Sequence, residues 1–267
     1  MLRVIRVSSL LAALSCFLLS AWMVVSWERD NRELRAFGAP YLETDGSIGD
    51  AIAALTDAVY NKEGFAKNKG FFLFKQLGPT PLQILEQGGD CADKSRLSAA
   101  ILDEFGIDTT LVMLSPCADC PPGHTVFEAR PNAERIASDP VYNIVFPSGD
   151  GQYHGVVALR NNPELLPERL DTLIEERGPQ DKIAFYRAAA DGAHYGYPKT
   201  INLEKTAATR MLKSVLARFV DDPELLRRPR FLEDPKLFLA LASLGLGGML
   251  LGLAGLVSLG IKRRADV

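Results

Sequence analysis

Histidine and cysteine are scarce in this sequence, at three and four residues among 267. Chemistry that needs an imidazole or a thiol is therefore confined to very few positions. There is no basic stripe interleaved with aromatics, and the net charge is −3, so no nucleic-acid surface is expected. Neither common glycine-rich phosphate loop occurs, and a zinc-protease helix motif and an aspartate-rich calcium loop are also missing; no metal or organic cofactor is expected. The chain contains no internal repeat or low-complexity tract. What remains is an ordinary globular composition, 47% hydrophobic and 24% charged, in a length suited to one good-sized domain with additions.

Part of the apolar share lies outside any domain core. Val7 to Trp27 and Leu237 to Ile261 carry no charge, and each is long enough to cross a bilayer, which takes roughly 20 helical residues. Bulky residues at Ala21-Trp22-Met23-Val24-Val25 leave no clean cleavage site, so the first run reads as an uncleaved anchor. The expected order is a tail at 1–6, a span at 7–27, a domain at 28–160, a helical extension at 161–236, a second span at 237–261 and a tail at 262–267. Basic residues flank the spans on both sides, so the positive-inside count does not favour export. A long domain behind a signal-like segment can translocate regardless, and an extracytoplasmic domain on a bacterial inner membrane is expected. Gly248 and Gly252 form a small-residue face on which the first span or another protein's helix could pack.

The domain is organised around Gly88-Gly89-Asp90-Cys91-Ala92-Asp93, followed by an apolar-periodic run that closes near Gly106. This predicts a helix of about four turns capped near Asp90. Cys91 would then lie in the first turn, where unpaired N–H groups and the helix dipole favour thiolate. It reads as a nucleophile or, alternatively, as a buried structural cysteine. Gly123 to Ala129 alternates like a strand and opens on His124; Ser138 to Phe146 is a second strand-like run with Asp139 near its start. A thiol, an imidazole and a carboxylate in this order could supply nucleophile, base and orienter.

The order and spacing from Gly88 to Phe146 resemble the transglutaminase-like superfamily. The resemblance is carried by Gly-Gly-Asp-Cys-Ala-Asp at 88–93, by His124 with Glu128 four residues on, and by Asp139-Pro140. It departs at Val126, where many members carry tryptophan, and in the Cys-Ala-Asp-Cys insert before the histidine. The resemblance implies an α+β, papain/transglutaminase-like core in which a cysteine-bearing helix packs on an antiparallel sheet, here flanked by two transmembrane helices. It implies a catalytic set of Cys91, His124 and Asp139 acting on a protein or peptide substrate near the membrane, by amide hydrolysis or acyl transfer. The other reading is a non-catalytic, membrane-tethered module serving as a binding or assembly subunit of an envelope or exopolysaccharide system.

Several residues carry open alternatives. Cys117 and Cys120 could form a local disulfide, half a metal site, or a redox partner for Cys91. Gln83 and Gln87 could donate to an oxyanion or be solvated helix residues. Cys16 reads as inert in the first span, and His154 as structural or exposed. Helices are predicted over 47–61, 163–176, 182–190 and 203–220, the last ending at Asp221-Asp222. Strands are predicted over 107–114 and 151–159.

Overall fold

The computed structural model describes all residues except 1, 63, 65–69, 118, 119, 133, 150, 190–193, 205, 221, 222, 266 and 267. Ala190, Asp221 and Asp222, at expected helix ends, and the last two tail residues lie outside the described residues.

The first helix, α1 (Leu2–Leu42), continues far past the apolar run. The charge density after Trp27 suggests a solvated exit segment, but Leu34 is buried with Ile52, Leu55, Ile84 and Ile101, and Phe37 and Tyr41 pack on the same cluster. Leu34, Phe37, Gly38 and Tyr41 share one helix face, and the charges occupy the rest. A methyl group at Gly38 would come 2.5 Å from Ile101 Cγ2, so the helix lies tight against the domain.

Local signals set the next helices. Ser47 caps α2 (Ile48–Asn61) by accepting from Asp50 N–H. A Thr80–Gln83 capping box with proline behind it starts α3 (Pro81–Gln87). A second box, Asp90–Asp93, starts α4 (Cys91–Asp103). The strands follow as β1 (Asp108–Leu114), β2 (His124–Arg130), β3 (Ile136–Asp139) and β4 (Ile144–Val145). Next come α5 (Val156–Asn161), α6 (Leu165–Arg177), α7 (Lys182–Ala189), β5 (Pro198–Lys199), α8 (Ala207–Leu216) and α9 (Pro235–Ala265).

The fold is α+β, with one antiparallel sheet of order β4-β3-β2-β1-β5 and two long apolar helices. Successive strand residues feed opposite cores. Leu111, Phe127 and Ala129 pack toward α2, α3 and α4, while Val112, Leu114 and Val126 pack with Leu159, Leu166, Leu170 and Leu173 of α5 and α6.

Two strand expectations are corrected. The run from Ser138 to Phe146 is broken at Pro140, so Asp139 ends β3 instead of opening a strand, and Asn143 turns the chain with φ 54°. The run at 151–159 makes only a bridge between Pro147 and Tyr153 before becoming α5. The reason is the buried Glu128 carboxylate, whose Oε2 accepts Val156 N–H (2.9 Å) at the helix start, while Arg130 and Arg135 neutralise it. The helix expected over 203–220 is shorter, and its apolar residues Met211, Leu212, Val215 and Phe219 are exposed.

α1 and α9, both long and apolar enough to cross a membrane, pack along one another. Ser20 Oγ donates to Ala240 O at 2.9 Å, and a Cβ at Gly247 would meet the Phe17 ring at 2.9 Å. The close approach is therefore made at Gly247. A Cβ at Gly248 or Gly252 would meet nothing within 4 Å, so the small-residue face expected to take the first span or another protein's helix is not packed on the first span there.

Candidate active site

Cys91 is the first residue of α4. Asp90 Oδ1 accepts the N–H groups of Ala92 (3.0 Å) and Asp93 (3.1 Å), and Asp93 Oδ2 reaches back to Asp90 N–H (3.3 Å). This box leaves the Cys91 N–H among the helix donors without an intrahelical partner. The preceding glycine is required, since a Cβ at Gly89 would lie 2.4 Å from Asp93 Cβ. Burial, then the neighbouring Asp90, push the Asp93 carboxyl above its usual range, against the pull of Arg96.

Two bolts fix this helix. Ser95, one turn after Cys91, donates from Oγ to Thr125 O at 3.0 Å, joining the cysteine helix to the residue beside His124. Lys94 is buried, and its Nζ donates to Val59 O, Tyr60 O and Lys62 O at 3.0, 3.1 and 3.3 Å, closing the carboxyl end of α2. Burial and the nearby Lys182 pull the Lys94 ammonium down to about 8.

His124 opens β2 and Asp139 closes β3, placing both at one end of adjacent strands. His124 Nε2 lies 2.6 Å from Asp139 Oδ2. The other carboxylate oxygen, Oδ1, accepts Val141 N–H (2.9 Å) and Tyr142 N–H (3.3 Å), so the turn that breaks the strand also holds the aspartate. Thr56 and Ser138 hydroxyls meet at 2.7 Å and tie α2 to the strand beside Asp139. Cys91, at the start of α4, also acts on the same imidazole. Burial alone would pull His124 down, but the Asp139 carboxylate and, after it, Cys91 outweigh it and raise the imidazole to about 10.

Two residues of this site were not identified from sequence. Tyr142 and Tyr186 stack with ring centroids 4.3 Å apart, and both rings flank His124, at 5.6 and 5.8 Å. Burial raises both phenols, Tyr186 well above the usual value, with the Asp139 charge adding to it. Tyr142 lay in the recognised strand-like run; Tyr186 arrives from α7, with no local signal linking it to His124. Of the candidate oxyanion donors, Gln83 is oriented by its capping box, its Oε1 accepting Thr80 N–H (2.9 Å), and Gln87 is exposed at the end of α3. Glu128 serves α5 and its two arginines. Cys117 and Cys120 are joined as a disulfide, leaving neither sulfur for a metal or for Cys91. Cys16 and Cys91 are free thiols, and His154 sits among Phe146, Pro147 and Arg169.

No family model and no curated protein sequence matches the chain. Among solved structures, a proposed cysteine protease from Cytophaga hutchinsonii is similar at 18% identity and a TM-score of 0.35, over 43% of this chain and 38% of that one. Rad4–Rad23 bound to a 6-4 photoproduct UV lesion is similar at 11% identity and a TM-score of 0.34, over 90% of this chain and 58% of that one. This chain thus spans less than two thirds of either neighbour's length, and both likenesses are too loose to carry a functional argument.

Proposed function

We propose that this protein is a membrane-anchored thiol enzyme of the transglutaminase-like type, with Cys91 as nucleophile, His124 as general base and acid, and Asp139 as the group that orients and charges the imidazole. The observation that supports this most directly is the single buried imidazole 2.6 Å from the Asp139 carboxylate, with Cys91 among the groups that raise it. Packing alone needs no such chain of three polar groups, and burying it costs free energy unless each group is paired.

In this reading Cys91 has already given its proton to His124, and the thiolate of that ion pair attacks an amide carbonyl carbon of a protein or peptide. The Cys91 N–H donates to the developing oxyanion. Collapse of that adduct breaks the C–N bond, with the imidazolium giving its proton to the departing amine, and leaves a thioester on Cys91. Water or a second amine, deprotonated by His124, then attacks the thioester and restores the thiol. The first acceptor gives hydrolysis and the second acyl transfer. The domain between the two spans is assigned to the extracytoplasmic side, where the Cys117–Cys120 disulfide persists.

The test is intact-protein mass spectrometry after incubation with an activated acyl ester. An acyl adduct mapped to Cys91, absent in Cys91→Ala and much slower to form in His124→Ala, supports the proposal. A protein that never acylates at Cys91 is a binding or assembly module instead.

A further inference from the structure

Outside α8 and the two long helices, large apolar side chains are also exposed in the loop before α3, where Phe71, Leu73 and Phe74 are 47%, 52% and 60% exposed. Leu73 is held at φ 60°, a region that residues with a side chain seldom occupy, and the loop is closed by Phe72 N–H donating to Gly78 O at 2.8 Å. The apolar tip is thus built into the loop.

Its position is fixed against the start of the second long helix. The Phe72 ring lies 5.6 Å from Lys236 Nζ, in the first turn of α9. Gln76 and Leu77 line one cleft with Leu232, Pro235 and Phe238. At this level the two long helices and the turn before α9 carry an interfacial set: Lys236 Nζ pairs with Asp30 Oδ2 at 2.6 Å, and the Arg230 guanidinium covers the Trp27 ring at 5.1 Å. Tryptophan and the long cations collect at the boundary between headgroups and hydrocarbon. Phe238 is two residues into the apolar run, about 3 Å deeper than Lys236 at 1.5 Å per residue. The loop therefore flanks the span where it enters the bilayer.

We propose that Phe71, Leu73 and Phe74 insert into the headgroup–acyl boundary beside α9, making this loop a third point of membrane contact. The occupant is lipid because the surface is continuous with that of the span and lies level with its charged and tryptophan belt. The loop also reaches the site: Arg96, on the cysteine helix, donates from Nη1 to Pro79 O at 3.4 Å and faces Glu233 just before α9 at 3.8 Å. A seated loop holds the Cys91 helix at a set height over the bilayer. The inference rests on reading α1 and α9 as membrane spans.

The test uses the full-length protein in lipid nanodiscs, with tryptophan fluorescence quenched by phosphatidylcholine brominated high on its acyl chains. In Phe74→Trp, and separately in Leu73→Trp, the added emission should be blue-shifted, lose its larger part to the brominated lipid, and resist aqueous iodide. Added emission quenched by iodide and untouched by bromine overturns the proposal, as does emission shielded from both, which would mean a protein cover. Native Trp22, inside the first span, separates the two failures. If Trp22 is quenched by bromine and the loop tryptophans are not, the loop inference alone fails; if Trp22 is not quenched either, the membrane reading fails with it.

Discussion

His124 Nε2 and Asp139 Oδ2 lie 2.6 Å apart, with the carboxylate fully buried and the imidazole only one-tenth exposed. A charged group so placed is stable only because its partner is charged too, and the two should respond together when either is altered.

Asp139→Asn is the mildest break in this pair, because the amide oxygen can still accept the Val141 and Tyr142 N–H groups. The protein should fold while acylation at Cys91 slows by about 10²- to 10⁴-fold, the usual worth of general acid–base catalysis. Asp139→Ala also orphans those two donors, and it should cost a further ~1–3 kcal/mol in stability. Kinetics and unfolding measured on the same preparations check both.

The pH dependence of stability follows from the raised imidazole. His124 moves from an ordinary 6.5 to about 10, so the folded chain holds this proton more tightly than the unfolded one. Its contribution is complete below pH 6.5 and disappears as the pH rises through about 10. Thermal unfolding in detergent should show the stability margin of wild type over His124→Gln shrinking across that window. A margin that stays constant or grows contradicts the pairing.

Gly89→Ala tests the turn that presents the nucleophile. The added methyl would meet Asp93 Cβ at 2.4 Å, so the capping box must open. A loss of about 1–3 kcal/mol is expected from such overpacking. Amide exchange should speed up at Ala92 and Asp93 and stay unchanged in β1.

Removing the disulfide with Cys117→Ser and Cys120→Ser should cost about 2 kcal/mol or less, because the closed loop is short and constrains the unfolded chain little. Acylation at Cys91 should persist in the double variant. Loss of acylation there would give the bridge a part in the reaction itself.

Features set by near neighbours in the chain were the ones legible beforehand. Asp90 and Asp93 announce the start of the cysteine helix, and the alternation after Gly123 announces the strand that carries His124. Boundaries failed where a distant group decided them. Glu128 turns 156–161 into helix by receiving its first N–H, and Ile101 and Phe105 draw the far end of α1 into the core. Tyr186 was invisible as a site residue because only the packing of α7 against α6 and into the second core brings it to His124. The amphipathic pattern of α8 was readable, but periodicity does not say whether the apolar side is covered, and here it is exposed.

The central claim is tested most directly by the rate at which iodoacetamide alkylates Cys91 near neutral pH, read by peptide mass spectrometry in wild type and His124→Ala. Fast labelling in wild type that collapses in the variant is the predicted result. Equal, slow labelling in both would contradict it, leaving Cys91 an ordinary half-buried thiol.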